Sequence, residues 1–180
     1  MTESPDWGTD VIYLLDEELC FVDCNPAWDE FAAENSGRGI SRAEILGKPI
    51  LNFVPDVLRT VYVHKYWFAK RHAGWTEFDY HCSSPEKIRL MRMGMIGVGN
   101  ELLVVNHLRL EEACPVKPPL QEAETALYVS AEGIATLCAN CRKAKRRDDA
   151  TWDWVPEFLR EEGLRISHGL CPRCVAHLYA

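Results

Sequence analysis

Two short apolar runs open the chain, Val11 to Leu15 and Leu19 to Cys24, separated by the acidic triplet Asp16-Glu17-Glu18. That spacing predicts two strands joined by a tight turn. Asn25-Pro26 follows, a capping residue type ahead of a proline suited to the first helical position, and Trp28, Phe31 and Ala32 then share one helical face. This helix is expected to end between Asn35 and Gly39. Ser41 with Glu44 three residues on is a capping-box pattern, predicting a short helix that stops at Gly47. Val57 to Arg71 contains neither Gly nor Pro and places Leu58, Val61, Tyr62, Lys65, Tyr66 and Ala69 at helical intervals, so a longer helix is expected there. After Ala73-Gly74, strands are expected at Trp75 to Cys82, Ile88 to Ile96 and Leu102 to Leu110, with loops at Ser83-Ser84-Pro85 and Gly97-Val98-Gly99-Asn100. Alternation in Arg89-Leu90-Met91-Arg92-Met93 supports the middle strand. It sets Met91, Met93 and Met95 on one side, as core or as the soft lining of a pocket.

The order is two strands, several short helices, one longer helix and three antiparallel strands, an α+β arrangement. It resembles the PAS fold, a five-stranded antiparallel sheet with helices over one face. Ile12-Tyr13-Leu14-Leu15-Asp16 leading to Val22-Asp23-Cys24-Asn25-Pro26-Ala27-Trp28 is similar to the usual PAS opening, in which an Asn follows the second strand and starts the helix. Glu44-Ile45-Leu46-Gly47-Lys48 is similar to the family's Glu-hydrophobic-hydrophobic-Gly-Lys turn. The resemblance covers residues 11 to 110. It implies a sensor or interaction domain that holds a small-molecule ligand or cofactor between sheet and helices, or that pairs as a homodimer. Haem would need a proximal histidine from the longer helix, where His64 and His72 lie. A flavin-linking cysteine motif is not evident, and Cys20, Cys24, Cys82 and Cys114 read as buried small hydrophobes or surface thiols. Helical histidines are common without ligation, as exposed or packed side chains, so neither haem nor flavin is expected.

Cys114-Pro115-Val116-Lys117-Pro118-Pro119 holds three prolines in five residues, which neither helix nor central strand tolerates. The expected organisation is a PAS-like domain at 1–112, a proline-rich linker at 113–127 and a small module at 128–180. The net charge of −7 is uneven: residues 1–127 carry −8 and residues 128–180 carry +1. An acidic first part repels nucleic-acid phosphates and anionic membranes, so any such binding falls to the second part. The acidic start Met1-Thr2-Glu3-Ser4-Pro5-Asp6 has no basic n-region or apolar h-region, and no apolar run approaches the ~18 residues of a membrane span. A cytoplasmic protein with no membrane partner is expected.

In a reducing compartment, eight cysteines point to metal binding or burial rather than to disulfides. Cys138-Ala139-Asn140-Cys141 is followed, after 29 intervening residues, by Cys171-Pro172-Arg173-Cys174. Two such pairs suit a tetrahedral zinc site, because each short turn brings two sulfurs to ~2.3 Å from one metal. Four thiolates leave no open position for water, so the zinc is expected to be structural rather than catalytic. A module of about 50 residues buries too little apolar area to stand alone, and metal ligation supplies what is missing. Tyr128-Val129 and Ile134 to Leu137 around Gly133 predict a hairpin delivering the first pair, and Val155 to Gly163 a helix with proline at its start and glycine at its stop. Trp152, Phe158 and Leu159 are its expected core. His168, three residues before Cys171, makes a fifth candidate for four positions, either as a hydrogen-bonding neighbour of a ligand sulfur or as an alternative ligand. The pattern Cys-x-x-Cys-Arg-Lys with Ser-His-Gly-Leu-Cys-Pro-x-Cys also resembles a cysteine-rich element found beside PAS and other bacterial signalling domains.

Arg142-Lys143-Ala144-Lys145-Arg146-Arg147 is the one basic run of the sequence. It admits two readings: phosphate contacts in a nucleic-acid-binding regulator, or balance for the −2 charge of a four-thiolate zinc centre, with Asp148 and Asp149 diluting the patch. No phosphate-binding glycine loop, G-x-S-x-G nucleophile motif, kinase region or cyclase region occurs, so enzymatic activity is not expected beyond an unrecognised pocket in the first domain. The expectation is a PAS-like sensory or signal-transduction protein that works through contacts with a protein partner.

Overall fold

The two N-terminal apolar runs pair as antiparallel strands, β1 (Val11–Leu15) and β2 (Phe21–Cys24), with Tyr13 opposite Cys24 and Leu14 opposite Asp23. Asp16 closes the turn between them: its Oδ1 accepts from the N–H groups of Glu18 and Cys20, each at 2.8 Å. Leu19 in that turn has a positive φ of 62°. The computed structural model describes residues 8–35, 37, 39–114, 122–160 and 163–179. The acidic start at residues 1–6, the proline cluster at 115–119 and Glu161-Glu162 lie outside them.

Helix α1 (Pro26–Glu34) follows β2 and α2 (Arg42–Ile45) follows it, the latter held by the predicted capping box of Ser41 and Glu44. Asn25 occupies the cap position of α1 but does not cap it. Its Oδ1 instead accepts from Ile12 N at 3.0 Å and its Nδ2 donates to Asp10 O at 2.8 Å. The competition is between local capping and the strand edge. The edge wins because both ends of the amide find partners there.

Helix α3 (Asp56–Arg71) buries Leu58, Val61, Tyr62, Tyr66 and Ala69, the predicted stripe except for the half-buried Lys65, whose ammonium sits 4.5 Å from the Phe78 ring centroid. Strands β3 (Thr76–His81), β4 (Lys87–Val98) and β5 (Glu101–Ala113) complete a five-stranded sheet in the order β2-β1-β5-β4-β3. β1 lies antiparallel to β5, Val11 facing Asn106 and Leu15 facing Leu102. This is a PAS-like α+β fold. Met91, Met93 and Met95 are all buried, as their alternation predicts.

By compactness the chain forms two units: one takes residues up to 53, 63–79 and 91–109, the other 54–62, 80–90 and 110–180. In the first, Tyr13, Phe21, Trp28 and Phe53 form a tilted and edge-on aromatic cluster. In the second, short helix α4 (Glu122–Thr125) precedes a four-stranded sheet of order β8-β7-β6-β9, made of β6 (Ile134–Cys138), β7 (Ala144–Lys145), β8 (Trp152–Asp153) and β9 (Arg165–Gly169). Helix α5 (Pro172–Leu178) follows.

The turn predicted at Gly133 is present, with φ of 71° and a bridge between Val129 and Ala135. Where a helix is expected over Val155 to Gly163, the described residues form a 3-10 turn, Pro156–Leu159. Phe158 and Val155 of this stretch enter the small core with Tyr128, Ala135, Leu137 and Ala144, and Leu159 packs on it half-buried. A tight turn suffices to place those two side chains. Trp152 is half-buried in edge strand β8, outside that buried cluster.

Candidate metal centre

Both cysteine pairs leave the ends of neighbouring parallel strands. β6 and β9 run side by side with Ile134 opposite Arg165 and Cys138 opposite Gly169. Ala139 N donates to Gly169 O at 2.8 Å, which carries the alignment past the end of β6. The chain then reverses. Arg142 N donates to Cys138 O at 2.9 Å, Cys138 N donates to Lys143 O at 2.8 Å, and Arg142 takes a φ of 63°. This tight turn swings Cys141 back beside Cys138. On the other side Cys171 is the residue before α5, Pro172 begins the helix, and Cys174 lies one turn along.

The four sulfurs lie within 4.8 Å of one another. Cys141 and Cys171 stand 3.8 Å apart, Sγ to Sγ. A tetrahedron with ~2.3 Å metal–sulfur bonds has edges of about 3.8 Å, so this spacing suits a single ion. Cys138, Cys171 and Cys174 are buried and Cys141 is half-buried, and all four are free thiols.

Two of the sulfurs accept hydrogen bonds. Cys138 Sγ accepts from Cys171 N at 3.4 Å, and Cys174 Sγ accepts from Asn140 Nδ2 at 3.3 Å. The Cys141 thiol, followed by the N–H groups of Cys171, Cys141 and Asn140, holds the Cys138 pKa well below its ordinary 9.0. Cys141 moves the opposite way because its own thiol proton is held in the hydrogen bond to the Cys138 sulfur. Burial pushes Cys174 up to about 11. A divalent cation would exchange those protons for metal–sulfur bonds.

His168 lies on β9 opposite Leu137, exposed, and its side chain is not in the converging group. Partial desolvation and then the charge of Arg142 lower its pKa from 6.5. The basic run is divided. Arg146 Nε donates to Asp153 Oδ2 at 2.6 Å, on the oxygen that also accepts from Tyr128 Oη at 2.8 Å. Arg147 donates to Ala126 O at 3.2 Å. Arg142 and Lys143 sit half-buried in the turn between the first cysteine pair and β7, and Lys145 is exposed. His64 and His72 are exposed, His72 stacked on Phe68 at 5.2 Å. Among the described residues no helix is long and apolar enough to cross a membrane. One buried residue escaped the sequence reading: Asn140, between the first two cysteines, is 2% exposed.

No protein-family model matches this chain, and no curated protein does. Among solved structures it is similar to a domain of an HTR-like protein from Haloarcula marismortui, at 13% identity and a TM-score of 0.45, over 57% of this chain and 100% of that one. It is similar to the PAS domain of the RpfR quorum-sensing receptor from Cronobacter turicensis, at 14% identity and a TM-score of 0.44, over 59% and 100%. The PAS domain of BvgS from Bordetella pertussis matches at 18% identity and a TM-score of 0.36, over 55% and 71%. The sheet order decides the fold. It is PAS-like.

Proposed function

We propose that this is a PAS-like sensory or signal-transduction protein acting through protein contacts, in which Cys138, Cys141, Cys171 and Cys174 hold one structural zinc ion. The observation that carries the metal reading is the convergence of four sulfurs within 4.8 Å, with one edge at the tetrahedral 3.8 Å. Zinc is the ion of choice for four thiolates in a tetrahedral cage, and such a set leaves no ligand position for substrate. Its role is then to hold the 128–180 module in shape. The PAS-like part at 1–112 supplies the sensing or pairing surface, and the stretch 113–127 joins the two.

The protein-contact reading is preferred over nucleic-acid binding because Arg146 and Arg147 already serve Asp153 and the Ala126 carbonyl. Arg142 and Lys143, next to the sulfurs, balance the negative cage. Elemental analysis with an absorption spectrum of the purified chain tests the proposal. One zinc per chain and no haem or flavin bands are expected, with loss of order in residues 128–180 on chelation. Metal-free protein whose tail is equally ordered in a strong chelator would overturn it.

A further inference from the structure

β3 is an edge strand, so alternate N–H groups along it point away from β4. Cys82 N donates to Arg89 O at 3.2 Å, toward β4. His81 N therefore points outward. Its acceptor is Asn140 Oδ1 at 3.3 Å. The other end of the same amide donates to Cys174 Sγ at 3.3 Å. Only this orientation works, since the reversed amide would set an NH2 against the His81 N–H and leave the sulfur without its donor. One buried side chain thus joins a backbone N–H of the sheet edge to a sulfur of the cage. All of these residues belong to the second compact unit.

We infer that Asn140 is a positioning residue through which metal occupancy sets the order of the β3 end at Tyr80–Cys82. This rests on the zinc reading of the four cysteines. In the loaded centre the metal bond holds Cys174 Sγ in one place, and Asn140 Nδ2 donates to that fixed sulfur at 3.3 Å. That bond locks the amide with its oxygen toward His81. Without metal, Cys174 Sγ is no longer held in place, the amide loses its anchor, and the outward N–H of His81 meets water. A second link runs from the module to the loop beyond: Arg160 donates to Pro85 O at 2.9 Å and to Glu86 Oε1 at 3.3 Å. That link belongs to the same module and weakens with it when the ion leaves, whereas Cys82 keeps its partner Arg89 O on β4. The relation is reciprocal: whatever strains the β3 end weakens metal binding by the same factor.

Hydrogen exchange of the full chain, read at the His81 and Cys82 amides with zinc and after chelation, tests the inference. Chelation is expected to speed exchange at His81 about tenfold, the effect of one lost hydrogen bond, while Cys82 follows much less. Asn140→Leu with zinc retained is expected to produce the same acceleration at His81, and chelation then to add nothing there. Unchanged His81 exchange in zinc-loaded Asn140→Leu overturns the proposal. Should that variant not fold, the unmodified chain decides, and His81 and Cys82 changing together or not at all on chelation overturns it. Zinc content measured on the same samples separates the two failures, because a metal-free parent chain removes the zinc reading itself.

Discussion

The hydroxyls of Tyr13 and Tyr66 meet at 3.3 Å within the first unit, one from β1 and the other from α3. Burial disfavours the charged phenolate and pushes the Tyr13 pKa from 10.0 up to about 12, against hydrogen bonds to Tyr66 and Asn106 that act in the other direction. The unfolded chain ionises this phenol near pH 10 while the folded one keeps it neutral. The stabilisation is thus complete below that pH and declines as the pH rises through about 12. A displacement of this size is worth roughly 3 kcal/mol. Urea midpoints measured between about pH 9 and 12 are expected to fall for the parent chain and to fall less for Tyr13→Phe. Identical slopes would show that the phenol is not the source.

Arg89 is buried at 2% exposure, and its Nε donates to Glu111 Oε2 at 2.6 Å while Lys87 Nζ reaches Oε1 at 2.7 Å. The Lys87 hydrogen bond, followed by that of Arg89, holds the Glu111 carboxyl below its ordinary 4.5. A lowered carboxyl contributes its full stability above the usual carboxylate range and loses it as the pH falls below. Glu111→Gln is expected to cost about 1.5–3 kcal/mol at neutral pH and to flatten the acid branch of the stability profile. Equal stability of the two proteins at neutral pH would refute this.

Cys138 ends β6 with no exposed surface, whereas Cys141 is half-buried at the rim. Cys138→Ser is expected to purify without zinc and with a protease-sensitive second unit, because a structural zinc contributes on the order of 10 kcal/mol and a hydroxyl is a poor replacement for a thiolate. Cys141→Ser, at the wetter corner, is expected to retain zinc with weaker affinity in a competition assay. Stoichiometric zinc in Cys138→Ser would contradict the cage.

A Cβ on Gly97 would stand 2.9 Å from the carbonyl oxygen of Lys70, in the last turn of α3. Backbone is a neighbour that cannot swing aside. Gly97→Ala is expected to destabilise the first unit by about 1–3 kcal/mol, read from its urea midpoint. An unchanged midpoint would mean that the helix end yields.

Much of this was legible in the residues because its signals are local. The opening hairpin, the capping box at Ser41 and the methionine alternation each depend on neighbours a few positions apart, and each formed as predicted. The two cysteine pairs were also visible, and the structure brings their sulfurs together. β7 and β8 were not, since two residues each carry no period, and Ala144–Lys145 lies inside a run that reads as charge alone. β9 hid for a different reason: Arg-Ile-Ser-His-Gly is polar, and its pairing with β6 depends on register across a long interval. The role of Asn140 could not be read at all. Its partner His81 lies 59 residues away and offers a backbone atom, which leaves no trace in side-chain chemistry.

The parallel alignment of β6 with β9 would give an ion bound by the four sulfurs a power of proofreading. Sliding either strand by two residues would keep its side chains on their proper faces but carry one sulfur pair about 7 Å along the sheet. No single cation spans that gap. A cation that demanded all four sulfurs at once would therefore reject every misaligned pairing, and folding around it would select the one alignment in which Cys138 faces Gly169.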